Sequence, residues 1–202
     1  RRVALVLHAL HPAEKDRMEL RLQKAFAEIG VPAAESLHRH DAPGALRLLR
    51  EADAIFVGGG ETFVLLGELH RTGQLQVIRE RVLAGVPYGG SSAGANVAGL
   101  RIGTTNDFPT ADIPSREALG LLPVSINPHH PLPTEKAEYA ARVGKIKTYL
   151  RFNPTETVLA LANASMVRLH GGESRLVGGR AWIYRATTVD ELKSGAVIEA
   201  LR

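Results

Sequence analysis

Between residues 85 and 98 the chain turns from an extended run into a helix, and that turn constrains the fold more than any other stretch. Gly85-Val86-Pro87-Tyr88 is short and apolar, Gly89-Gly90-Ser91-Ser92-Ala93-Gly94 follows, and Ala95-Asn96-Val97-Ala98 favours a helix. Gly90 to Gly94 spells G-x-S-x-G at a strand-to-helix junction, which predicts an elbow with the Ser92 hydroxyl at its tip. Glycines suit such a bend because its backbone angles oppose a β-carbon. A helix starting there also aims its first amides at negative charge growing beside Ser92. A Gly/Ser loop is the plainer reading of the same letters, and the flanking strand and helix signals favour the elbow.

Strand and helix signals alternate on either side. Val3–His8 reads as a buried strand. Glu14–Ile29 carries Met18, Leu22, Ala25, Phe26 and Ile29 at helical spacing and stops at Gly30 with Pro32 beyond. Asp41 reads as the N-cap of a helix through Leu46 and Leu49. Ala54–Val57 is a core strand ending in Gly58-Gly59-Gly60, and Thr62–His70 and Leu75–Ala84 are helical. Strands are expected over Ile102–Thr105 and Val124–Ile126, then a helix over Lys136–Phe152. After Pro154 the texture becomes one of short strands: Thr157–Leu161, Met166–His170, Arg175–Val177, Ala181–Tyr184 and Val197–Ala200. The expected architecture is α/β: a mostly parallel sheet flanked by helices in three layers, with a C-terminal antiparallel extension. No linker or repeat divides residues 1–202, so one domain is expected.

In an open α/β sheet, sites form beyond the carboxyl ends of the strands. Gly58-Gly59-Gly60 and Ser92 both fall there. A glycine loop beside a nucleophile offers backbone N–H groups for an oxyanion, or simply makes a tight turn; the spacing is not that of a P-loop. A serine hydroxyl needs a base, and Asn127-Pro128-His129-His130-Pro131 supplies histidines held between prolines after a strand. Thr104-Thr105-Asn106-Asp107 is a polar turn able to touch substrate or cap a loop. Lys136, Arg142, Lys145, Lys147 and Arg151 outnumber Glu135 and Glu138 along one helix, where an inward arginine would recognise a carboxylate.

Four segments in register resemble peptidase E, the serine aspartyl dipeptidase family related to cyanophycinase. They are Gly58-Gly59-Gly60-Glu61-Thr62-Phe63, Ser92-Ala93-Gly94-Ala95-Asn96-Val97-Ala98-Gly99, Thr104-Thr105-Asn106-Asp107 and Ile126-Asn127-Pro128-His129. The resemblance implies a class I glutamine-amidotransferase-like fold and cleavage of Asp-X dipeptides. It makes Ser92 the nucleophile, His129 the general base, and Gly60 and Ala93 the oxyanion donors. It places Arg142 near the arginine that grips the substrate aspartate; Asp107, Thr105 and Glu61 are further candidates for contact with the substrate. Two departures stand out. Asn163 falls where the family carries the acid that orients the histidine, and Glu61 falls where an asparagine is usual beside the glycines. Asparagine can accept from an imidazole Nδ1–H but supplies no charge. The alternatives are a related hydrolase of altered or β-aspartyl specificity, and a weakly catalytic or non-catalytic binding protein.

Composition excludes other classes. Without cysteine there is neither disulfide nor thiol chemistry, which fits a cytoplasmic location. The net charge of +4 is spread along a chain with 5% aromatics, so no nucleic-acid platform is expected. No apolar run approaches the roughly 20 residues of a membrane span. His8/His11 and His38/His40 read as isolated pairs, and neither metal nor cofactor is expected. The expected partner is a small acidic peptide, with association into a homo-oligomer left open. The chain begins at Arg1 rather than methionine, so a few preceding residues are expected.

Overall fold

In the computed structural model, which describes residues 1–201, the alternation of apolar and small residues in Arg2–Val6 builds the central strand β1. Val3 and Leu5, with Leu7 just beyond, pack on Met18, Leu22 and Phe26 of helix α1 (Pro12–Glu28). Ala4 and Val6 face the opposite way, into a core shared with Leu48, Leu49, Leu65, Leu66, Leu69 and Ile78. Those residues come from α2 (Ala42–Glu51), α3 (Thr62–Arg71) and α4 (Gln74–Leu83). A strand covered on both faces must be apolar on both, as β1 is. It pairs in parallel with β2 (Ala33–Ser36) and β3 (Ala54–Val57), and β3 pairs in parallel with β4 (Tyr88–Gly90).

Helix α5 (Ala93–Ala98) leads from this first sheet, ordered β2-β1-β3-β4, to a second. There β5 (Ser125–Asn127) lies parallel to β6 (Val158–Leu161), with α6 (Lys136–Phe152) as the crossover. Ile146 and Leu150 of α6 pack on Val158, Ala160, Trp182 and Tyr184. The direction then reverses: β9 (Arg180–Tyr184) is antiparallel to β6, and β10 (Val189–Lys193) to β9. A separate hairpin pairs β7 (Met166–His170) with β8 (Glu173–Val177). The α/β class, the parallel core and the antiparallel C-terminal strands are those expected. No described helix is long and apolar enough to cross a membrane.

Local expectations fail at four places. The strand expected over Ile102–Thr105 is a turn following a single bridge between Arg101 and Glu117. Of the expected strand Val197–Ala200, only Val197 bridges, to Arg175, before a 3-10 turn over Glu199–Leu201. Strands β2 and β10 were not expected, because Ala-Ala-Glu-Ser and Val-Asp-Glu-Leu-Lys carry the polar content of sheet edges. Arg202, the end of the expected 1–202 domain, lies outside the described residues. His38 is also not isolated. Its ring reaches Ser36 Oγ (2.6 Å) and Asp16 Oδ1 (2.9 Å), while Arg39 holds the buried Glu19 (2.7 Å), so the group fastens α1 to the segment after β2.

Candidate active site

The elbow is made by close approach of backbones. Strand β4 runs beside β3 with Val57 opposite Gly90, and Ser91 N–H donates to the Val57 carbonyl (3.1 Å). A β-carbon at Gly94 would fall onto that same carbonyl, and one at Gly90 onto the carbonyl of Gly94. The Tyr88 hydroxyl clamps the start of α5 by donating to the Gly94 carbonyl (2.6 Å). Between these glycines Ser92 is held at φ 52°, ψ −110°, at the N-cap of α5. Such a backbone costs a non-glycine residue about 1–3 kcal/mol and persists only where its surroundings enforce it.

The glycine loop after β3 lies against this serine. A β-carbon on Gly59 would come within 2.8 Å of Ser92 Cβ, so only glycine lets the loop pass so near. Gly60 adopts φ 132° beneath the Ala9 carbonyl, which accepts from Glu61 N–H (2.8 Å). Ala93 is the first residue of α5, where a backbone N–H has no intrahelical acceptor. Among the described residues, the Gly60 and Ala93 amides donate to nothing else.

The third element comes from the second sheet. Beyond β5, Pro128 leads to His129 at φ 56°. His129 Nε2 stands 2.8 Å from Ser92 Oγ, and its Nδ1 2.6 Å from Asn163 Oδ1 in the loop between β6 and β7. With the amide oxygen facing Nδ1, that nitrogen carries the hydrogen and Nε2 turns its lone pair to the serine hydroxyl. A serine, a lone-pair imidazole and an orienting acceptor thus stand in line. That arrangement suits proton transfer from Ser92.

A peptidase S51 family profile matches residues 1–177. The chain belongs to peptidase family S51. It is 40% identical over 178 residues to peptidase E of Pasteurella multocida, covering 87% of this chain and 74% of that protein. It is 45% identical over 144 residues to a Drosophila melanogaster protein named "Probable alpha-aspartyl dipeptidase", covering 70% of this chain and 60% of that one. The crystal structure of a peptidase from an acI-B1 Actinobacterium shares the fold, with a TM-score of 0.71 at 21% identity over 97% of this chain and 82% of that one. The family assignment makes the chain a peptidase of the S51 type.

Other residues singled out in this S51 sequence have defined places. Asp107 Oδ2 accepts from Thr62 N–H (2.8 Å), and the Thr105 hydroxyl donates to that of Thr62 (3.1 Å), so both fasten the N-terminus of α3 just past Gly60. Glu61 is the N-cap residue of α3, and its carboxylate accepts from Thr110 Oγ1 (3.1 Å) rather than capping the helix. Arg142 sends Nη1 to Asn127 Oδ1 (3.0 Å), the His129 carbonyl (3.0 Å) and the Pro128 carbonyl (3.3 Å). Its Nε and Nη2 make no hydrogen bond among the described residues, and burial pulls its pKa below the usual arginine range. Arg142, Lys145, Glu138, His129 and Asn163 line a cavity of about 410 Å³.

Asn127 has no role assigned from the sequence, and His130 is a candidate base only as a member of the histidine loop. Asn127 is buried beneath His129, and His130 is packed against Trp182 with ring centroids 4.5 Å apart. His130 Nδ1 donates to the Pro131 carbonyl (2.9 Å) and Nε2 accepts from the Tyr184 hydroxyl (3.0 Å). Burial, opposed by the Pro131 bond and aided by Arg142, keeps its pKa below the ordinary histidine value. The Asn-Pro-His-His-Pro spacing marks the loop but cannot say which histidine turns outward. Burial separates them, with His129 exposed and His130 buried.

Proposed function

We propose that the chain is a serine dipeptidase that hydrolyses Asp-X dipeptides through an acyl-enzyme at Ser92. The observation that carries this reading is the 2.8 Å contact between His129 Nε2 and Ser92 Oγ at the tip of the elbow. His129 takes the Ser92 proton as Oγ attacks the carbonyl of the N-terminal aspartate. The amides of Gly60 and Ala93 hold the oxyanion, each worth roughly 3–4 kcal/mol in acyl transfer. The leaving amine takes its proton from His129, and water, deprotonated by the same ring, releases aspartate. Asn163 serves as the orienting member, fixing the tautomer without adding charge.

The remaining N–H groups of Arg142, with Lys145 nearby in the cavity beside His129, give the substrate carboxylate a cationic partner. Glu61, exposed one residue past Gly60, suits the substrate's ammonium group. The name of the Drosophila melanogaster relative, "Probable alpha-aspartyl dipeptidase", supports an α-aspartyl rather than a β-aspartyl bond. No metal or organic cofactor enters this chemistry, and the cysteine-free chain suits a reducing compartment such as the cytoplasm. The decisive experiment is hydrolysis of Asp-Leu, Glu-Leu and β-Asp-Leu by wild type, Ser92→Ala and His129→Ala. Asp-Leu is expected to be preferred, with either substitution lowering kcat by about 10⁴-fold or more. Undiminished turnover by Ser92→Ala sinks the reading.

A further inference from the structure

We propose that Asn127 is a positioning residue whose buried amide, working with Arg142, holds the backbone that aims His129 at Ser92. This rests on the reading of His129 as the base.

Two facts create the need for such a device. His129 is a non-glycine residue at φ 56°, and it follows a proline, which has no N–H to anchor the bend. Its ring is exposed, so no packed wall fixes it. Its direction is set by the backbone beneath and by its two ring hydrogen bonds.

Asn127 supplies the anchorage. It is the last residue of β5, opposite Ala160, and is 1% exposed. A primary amide offers two hydrogens and two lone pairs at right places for several segments at once. Nδ2 donates to the Thr104 carbonyl (2.6 Å) and to Asn106 Oδ1 (2.9 Å). Oδ1 accepts from Arg142 Nη1 (3.0 Å), the nitrogen that also reaches the carbonyls of His129 and Pro128. Asn106 Nδ2 closes the ring by donating to the Pro128 carbonyl (2.9 Å), and the Thr104 hydroxyl donates to the Ile126 carbonyl (3.0 Å). The carbonyls of Ile126, Pro128 and His129 are therefore each taken by a side chain from another segment. Asn127 is the group that connects those donors to one another.

The same turn continues to Thr105 and Asp107, which hold the N-terminus of α3 beside Gly60. One hydrogen-bonded chain thus runs from beneath the base to the oxyanion loop. Only an amide fits at its centre. An aspartate would accept from Arg142 but would set its second oxygen against the Thr104 carbonyl and Asn106 Oδ1. A leucine would leave the Thr104 carbonyl and Asn106 Oδ1 without their donor and remove one of the three acceptors of Arg142 Nη1.

The test uses the full chain with Asn127→Asp, Asn127→Leu and the exposed-site variant Asn106→Ala, with Ser92→Ala and His129→Ala as controls. Thermal melting establishes that each is folded at the assay temperature. Kinetics on Asp-Leu give kcat and KM, and ¹⁵N-histidine spectra follow the ring, the His129 signals being those missing from His129→Ala. The expected result is a kcat lowered by about 10²-fold for the Asn127 variants and about 10-fold for Asn106→Ala, with KM within about twofold. The His129 ring resonances shift in each. The proposal is overturned if folded variants keep wild-type kcat and wild-type His129 resonances, or if kcat falls only with the folded fraction while the resonances stay put. Should the Asn127 variants not fold, Asn106→Ala decides by the same criteria. Activity surviving Ser92→Ala would defeat the hydrolytic reading instead, and the resonances would still decide whether Asn127 positions the ring.

Discussion

Asn163→Asp changes one atom type and isolates the charge that this site lacks. The side chains are isosteric, so the 2.6 Å approach to His129 Nδ1 is expected to persist. Proton transfer from Ser92 makes His129 an imidazolium, and a carboxylate then lies about 4 Å from its charge centre. Two unit charges at about 4 Å interact by ~1 kcal/mol in water and ~4 kcal/mol at an effective dielectric of 20. Both residues are exposed, which selects the lower end, about 1–2 kcal/mol. The expected outcome is a roughly 5- to 30-fold rise in kcat/KM on Asp-Leu near pH 8. The gain shrinks at 1 M salt, where the screening length falls to about 3 Å. Asn163→Leu, which accepts no hydrogen bond, is expected to lose about 10- to 100-fold as the tautomer is freed. A folded Asn163→Asp enzyme with unchanged or lower kcat/KM from pH 6 to 9 would refute the argument.

Three further outcomes are expected. Gly94→Ala places a β-carbon on the Val57 carbonyl and 3.1 Å from Val57 Cβ, and the urea midpoint should fall by the equivalent of about 2–3 kcal/mol. Asp107→Ala removes the acceptor for Thr62 N–H and should lower stability by about 0.5–2 kcal/mol in the same assay, with Asp107→Asn retaining most of the cap. Its KM for Asp-Leu stays near wild type if capping is its whole role. Stability should also fall on mild acidification. Burial lowers the pKa of both His8, which donates to Gln74 (2.7 Å), and His130 below the ordinary 6.5. The unfolded chain therefore binds more protons just below pH 6.5, and folded-state stability drops from there toward the depressed values. A melting temperature flat between pH 7.5 and 5.5 would contradict this. The pKa values of Asp16 and Glu35 are lowered by partners led by His38 and Arg2 respectively, so their contributions hold through this range and are lost only as pH falls from the ordinary carboxylate values toward the depressed ones.

The helices were legible because each buries a face at helical period, as Met18, Leu22 and Phe26 do in α1. The inner strands were legible because a strand covered on both sides is apolar throughout. Edge strands β2 and β10 were not, since their partners pair through backbone and leave side chains polar. Ile102 misled because its apolar side chain is buried by a turn rather than a ladder. Within the site, the elbow glycines announced themselves through the backbone contacts they permit. Asn127 did not, because an asparagine's worth depends on the three groups around it, drawn from a distant turn and from α6.

Local chemistry alone determined the strand-turn-helix at Ser92, the glycine loop after β3 and a histidine loop after β5. Each is a short-range consequence of backbone geometry, written within a few neighbouring residues. Tertiary structure decided that His129 rather than His130 faces the serine across 37 residues of chain, that Asn163 stands behind it, and that Nη1 of Arg142 is committed to the loop. Those relations follow from two sheets meeting at α5. Burial turned one histidine inward against Trp182 and left its neighbour outside, a choice that the spacing of prolines and histidines leaves open and that the sequence made only through the family resemblance.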